Sequence, residues 1–154
     1  MLLSVDPGLR SCGIATWDHG GRLERAMLIL NPNGAEWVSM VGAVTGLVGT
    51  NYRLVIELPQ VYVASRSKGD PNDLILLAGL VGSFAHRFAA GGYTLIKPAQ
   101  WKGQTPKAIT EERARKRLTP EELARVQFPK AKSLRHNVWD AIGIGLKHLS
   151  RQGY

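Results

Sequence analysis

The chain opens with a short apolar run, Leu2-Leu3-Ser4-Val5, closed by Asp6-Pro7-Gly8. A run of this length ended by turn residues predicts a buried strand that stops in a turn, with an acid at its carboxyl end. Gly13-Ile14-Ala15-Thr16-Trp17 resumes as a second strand, and Asp18-His19-Gly20-Gly21 predicts the hairpin turn after it. Residues 22–30 predict a third strand, ended by Asn31-Pro32-Asn33-Gly34. Residues 36–49 carry Trp37, Met40, Val41, Val44, Leu47 and Val48 at helical spacing, weakened by Gly42 and Gly46. Leu54-Val55-Ile56-Glu57 is a β-branched run stopped by Pro59, which predicts a central strand with a second acid at its carboxyl end.

Residues 65–71 are polar and predict a mobile loop. Residues 73–90 predict a long helix with a start signal in Pro71-Asn72-Asp73 and a broad apolar face of Leu74, Leu77, Leu80, Val81, Phe84 and Phe88. Ile75 and Leu76 carry the apolarity round the helix, so it is expected to bury against two surfaces. A dimer partner would supply the second surface; so would a further layer of the same domain, and both readings stand. Tyr93-Thr94-Leu95-Ile96 predicts a strand, and Pro98-Ala99-Gln100-Trp101 a loop or short helix. Residues 110–117 predict a basic helix with Glu111 and Glu112 in its first turn. Thr119-Pro120-Glu121-Glu122 has the signature of a capping box, and residues 139–148 predict a final helix. Three strands, a helix, a strand, a helix, a strand and further helices make an α/β chain, a mixed sheet flanked by helices.

Composition changes the picture mainly through charge. The 154 residues suit one domain. No apolar run reaches the roughly 18 residues of a spanning helix. The opening lacks a positive leader, so no secretory signal is expected, and the single cysteine, Cys12, points to a reducing compartment. The formal net charge is +8, and residues 97–135 hold 11 basic against 4 acidic side chains. Positive charge gathered in one segment favours a polyanionic partner, because each phosphate contact releases condensed counterions. A solvated basic helix with no partner would look the same.

Three acids stand in otherwise apolar surroundings: Asp6, Glu57 and Asp140, the last between Trp139 and Ala141-Ile142. Buried carboxylates are costly unless paired or metal-bound. Brought to one sheet edge, they would form a hard-oxygen site suited to Mg2+ or Mn2+. Two such ions about 4 Å apart support phosphodiester hydrolysis, with Asp6 as the natural bridging ligand. Each acid also has a plain structural reading: a turn residue, a strand end or an ion-pair partner.

Leu3-Ser4-Val5-Asp6-Pro7-Gly8-Leu9-Arg10-Ser11-Cys12-Gly13-Ile14-Ala15 resembles the opening strand and turn of the RuvC family of Holliday-junction resolvases. Val55-Ile56-Glu57 and the following Gln60-Val61-Tyr62-Val63-Ala64 resemble its second-acid strand, with two residues inserted after the acid. Leu77-Ala78-Gly79-Leu80-Val81-Gly82 is similar to its interface helix, and Val138-Trp139-Asp140-Ala141-Ile142-Gly143-Ile144-Gly145 to its terminal acidic helix. Pro98-Ala99-Gln100-Trp101-Lys102-Gly103 in so compact a chain looks like the phage-type members. The resemblance implies one RNase H-like nuclease domain over residues 1–154. It implies a cytoplasmic homodimer, of a prokaryotic or phage-infected cell and with no membrane partner, that cuts branched DNA with two Mg2+ or Mn2+ ions per active site. Asp6, Glu57 and Asp140 would be metal ligands. The family's fourth ligand position, three residues before the last acid, holds Asn137, a poorer ligand. His136, four residues before Asp140, can share its helix face and is the candidate ligand or proton shuttle. Tyr62 matches an aromatic that stacks on junction bases. Arg66, Lys68, Lys102 and Lys107 are candidate DNA contacts, with Lys97 and the 113–117 cluster beside them, whereas Trp101 is expected in the core.

Three other readings compete. One is a nuclease of the same fold acting on structured RNA precursors. Another is a protein that binds branched DNA without cutting it, a reading that the Asn137 departure keeps open. The third, a sugar-kinase or actin-like ATPase, needs a second phosphate loop and a second domain for which 154 residues leave no room.

Overall fold

The computed structural model describes residues 1–31, 37–60, 70–103 and 105–149. The predicted segment 65–69 and the candidates Tyr62, Arg66 and Lys68 lie outside the described residues. The strands are β1 (Leu2–Asp6), β2 (Ser11–Trp17), β3 (Leu23–Leu30), β4 (Arg53–Glu57), β5 (Tyr93–Ile96) and β6 (Val126–Gln127). The helices are α1 (Trp37–Val48), α2 (Pro71–Arg87), α3 (Pro98–Trp101), α4 (Lys107–Arg117), α5 (Pro120–Leu123) and α6 (Arg135–His148).

The strands form one mixed sheet in the order β5-β4-β1-β2-β3-β6. β1, β2 and β3 are an antiparallel meander, whereas β4 and β5 run parallel to β1. Strand alternation divides the core in two. Leu3, Val5, Ile14, Leu54 and Ile56 pack with Met40 and Val44 of α1 and Leu80, Phe84 and Phe88 of α2. Leu2, Ala15, Trp17 and Val55 face the other way and pack with Ala114 of α4 and Val138, Ile142, Ile144 and Leu146 of α6. The result is a helix–sheet–helix sandwich, the mixed sheet flanked by helices that the pattern predicts.

The differences from expectation lie at element ends. α2 begins earlier, where the Asp70 side chain accepts from the Asn72 N–H, and it ends at Arg87 before a 3-10 turn at Ala89–Gly91. Its outer face is exposed, with Ile75 at 70% and Leu76 at 44%, so among the described residues no further layer closes over that turn. α4 starts one turn before the predicted Thr110, at Lys107, and therefore has no acid in its first turn. α6 starts at Arg135 rather than Trp139, which puts His136 and Asn137 on the helix itself. The capping box at Thr119 forms as expected. Glu122 is 4% exposed, and its carboxylate accepts from Thr119 N at 2.9 Å and from Leu23 N at 2.7 Å, fastening α5 to β3. Cys12 is fully buried, and that burial pushes its thiol up to about 12, so it serves as core. Among the described residues no helix is long and apolar enough to cross a membrane.

Candidate active site

The two strand acids meet because their strands are neighbours. β1 and β4 run parallel with Val5 beside Ile56, so the next residues along, Asp6 and Glu57, end adjacent strands at the same edge of the sheet. Alternation also decides the face. Leu2 and Val55 belong to the α6 side, and two-residue steps from them arrive at Asp6 and Glu57. Carboxyl ends of adjacent parallel strands are where α/β sheets gather their sites.

The third acid arrives on α6, and a glycine sets how close that helix comes. A Cβ at Gly13 would lie 1.9 Å from the Asn137 carbonyl oxygen and 2.5 Å from its carbon. Only glycine lets the first turn of α6 rest on β2 at this point. Gly145 does the same farther along, where a Cβ would lie 2.4 Å from the Trp17 indole. The Asn137 amide donates to Ser11 Oγ at 3.1 Å, a second tie between helix and sheet. One turn beyond it stands Asp140, 8% exposed.

The carboxylates are close enough for Asp140 and Glu57 both to act on Asp6. Burial raises the Asp6 carboxyl well above the ordinary aspartate value, and the charges of Asp140 and Glu57 push it further. Lys102 and Lys107 pull it back. Burial raises Glu57 as well, against the pull of Lys102 and of the Trp101 hydrogen bond, while Asp140 adds to the rise. Lys102 Nζ stands 3.2 Å from Asp140 Oδ2 and 3.4 Å from Glu57 Oε2, so the two acids face each other across one ammonium group. Burial works against that charge, yet Glu57, Asp140 and Asp6 outweigh it and hold the lysine above its usual range. Trp101 is 6% exposed; its Nε1 donates to Glu57 Oε2 at 2.5 Å and its ring carries the Lys102 ammonium 4.6 Å from the centroid.

Sequence reasoning marks Asp6, Glu57 and Asp140, and the fold brings them together. It expects Lys102 on DNA and Trp101 in the core. The fold puts Lys102 among the acids and gives the buried Trp101 a hydrogen bond to one of them. No local signal carries this; it follows from β5 pairing beside β4, which swings the following α3 corner over the Glu57 end. Lys107 is exposed at the start of α4, near enough to Asp6 to lower its carboxyl. His136 lies in the first turn of α6 with Nδ1 2.7 Å from the Ser133 carbonyl, and it is not among the charges that act most on Asp6.

Three carboxylates at one half-buried edge are a donor set that fits a hard divalent cation. Among the described residues no three His, Cys, Asp or Glu side chains form a ready cage as they stand. A lysine ammonium lies between two of the acids instead, so the place already attracts and holds a cation.

No protein-family model matches the chain, and no curated protein does. Solved structures do. Thermus thermophilus RuvC aligns with a TM-score of 0.59 at 19% identity, covering 96% of this chain and 92% of that one. T. thermophilus RuvC in complex with a Holliday junction substrate aligns at 0.61 and 18% identity, covering 97% and 93%. The yeast mitochondrial Holliday junction resolvase Ydc2 aligns at 0.52 and 9% identity, covering 95% and 77%. The fold is therefore RuvC-like, an RNase H-like mixed sheet flanked by helices.

Proposed function

We propose that residues 1–154 form a single metal-dependent endonuclease domain that resolves four-way and related branched DNA junctions by paired phosphodiester hydrolysis. One observation carries the reading: in a RuvC-like fold, β1, β4 and α6 deliver Asp6, Glu57 and Asp140 to one edge of the sheet, where the charges of Asp140 and Glu57 both bear on Asp6. These three would hold Mg2+ or Mn2+, two ions per site, with His136 as a further ligand or proton shuttle on the Asp140 helix. The metal, when bound, would supply an activated water and charge neutralisation at the leaving oxygen.

The chain's own residues bind and orient the substrate. Lys107 opens an exposed basic helix that continues through Arg113 and Arg115, charges suited to backbone phosphates. Tyr62 would stack on unpaired bases, and Arg66 and Lys68 would meet phosphates, in the segment that follows Glu57. Ile75 and Leu76 on α2, with Val38 on α1 at 67% exposure, present apolar surface that supports a homodimer interface. A two-fold dimer would offer two sites to the two opposed strands of a two-fold junction.

The test sets the purified protein against a synthetic DNA four-way junction and a structured RNA, each with Mg2+. Nicked duplexes from the junction and intact RNA support the reading; the reverse overturns it in favour of RNA processing. A branched-DNA binder that does not cut is favoured by one observation, the Lys102 ammonium satisfying two of the acids. Junction binding with no cleavage in either Mg2+ or Mn2+ would establish that alternative.

A further inference from the structure

We propose that Lys102 is a tethered counter-ion: it holds the acid cluster together in the absence of divalent metal and must leave when metal binds. The proposal rests on the reading that Asp6, Glu57 and Asp140 take a divalent ion. It adds that the chain carries its own competitor for that ion, mounted on the α3 corner.

The ammonium contacts Asp140 Oδ2 at 3.2 Å and Glu57 Oε2 at 3.4 Å, two of the oxygens a metal would use. A magnesium ion binds carboxylate oxygen at about 2.1 Å. An ion drawing on both oxygens would stand in the space of the ammonium and repel it, so the two cations cannot share the pair. Charge supports the same conclusion. With all three acids ionised, one lysine leaves the cluster negative, which keeps it attractive to a dication that outweighs a single ammonium charge.

The lysine is also held and yet free to go. Trp101 fixes the arrangement from behind: its indole N–H binds Glu57, and its ring lies under the ammonium. The corner itself is fastened by Pro98 in its first turn and by Gln100, whose side chain accepts from Lys97 N at 2.7 Å. Lys102 is the residue after the helix, and its side chain is 27% exposed. That exposure gives the flexible lysine stem a solvent side, and release needs only a change of rotamer.

Two consequences can be measured without turnover. Removing the charge should tighten metal binding, because the incoming ion no longer displaces a cation. Metal loading should also change the surroundings of Trp101. Calorimetric titration of the full chain with MgCl2 in metal-free buffer is the test, on wild type, K102M and K102R. K102M should bind Mg2+ about tenfold more tightly than wild type, and K102R no more tightly. Saturating Mg2+, which does not itself quench fluorescence, should shift tryptophan emission in wild type and leave W101F unchanged. Equal or weaker Mg2+ binding by K102M, equal tightening by K102R, or wild-type emission indifferent to saturating Mg2+ would overturn the proposal while leaving the metal site intact. Absence of Mg2+ and Mn2+ binding by every form would overturn the metal reading and this inference with it.

Discussion

Replacing Gly13 by alanine tests how the fold fixes the site. The added methyl would lie 1.9 Å from the Asn137 oxygen, 2.5 Å from its carbon and 3.2 Å from Val138 N. All three are backbone atoms, so no rotamer change relieves the clash. Ordinary contact begins near 3.4 Å, so the first turn of α6 must lift from β2 by about 1.5 Å. Overpacking of this kind costs about 1–3 kcal/mol, partly offset by roughly 0.5–1 kcal/mol from replacing a strand glycine. A net loss of about 1–2 kcal/mol in urea unfolding is expected. The displaced turn leads directly into the one that carries Asp140, and a misplacement near 1 Å costs on the order of 100-fold in rate. Junction cleavage should therefore fall about that much while binding persists. Gly42→Ala is the control: it lies in α1 with nothing within 4 Å, and it should gain up to about 1 kcal/mol. A Gly13→Ala protein with wild-type stability and full cleavage would refute the close-approach argument.

Asp6→Asn should lower cleavage by more than the roughly 100-fold typical of groups outside the ligand set, and junction binding by gel shift should survive. Because burial and its two acidic neighbours raise the Asp6 carboxyl, the native state holds that proton more firmly than the unfolded chain does. Its linkage contribution is thus greatest at acid pH and declines as pH rises from the ordinary value of 3.8 through the raised one, with Glu57 following the same sign from 4.5. In EDTA at neutral pH, Asp6→Asn should accordingly melt at a higher temperature than wild type, with the gap closing toward pH 4. Ile75→Asp, at a site 70% exposed, should change urea stability by no more than about 0.5 kcal/mol yet shift sedimentation from dimer to monomer. Glu122→Ala strips a buried capping box and its bond to Leu23, and should cost about 2–3 kcal/mol by the same urea assay.

Local pattern makes the acid-bearing strands legible. Leu2-Leu3-Ser4-Val5 and Leu54-Val55-Ile56 alternate between two cores, and each ends in a carboxylate whose face follows from counting by two. The helix starts were harder to read. α6 has no side-chain cap at Leu134, and α4 follows Pro106 without acids in its first turn, so both begin before the signals that mark helices elsewhere in the chain. β6 spans two residues, too few for a period to show. The partnership of Trp101 and Lys102 with Glu57 was illegible, because it depends on β5 lying beside β4 rather than on any spacing.

The most direct measurement follows a radiolabelled four-way junction incubated with the wild-type chain in Mg2+ and, in parallel, in EDTA. The account predicts paired cuts that give nicked duplexes with Mg2+ and an intact, bound junction in EDTA. Cutting at an equal rate in EDTA, or an uncut junction in both Mg2+ and Mn2+, would contradict it.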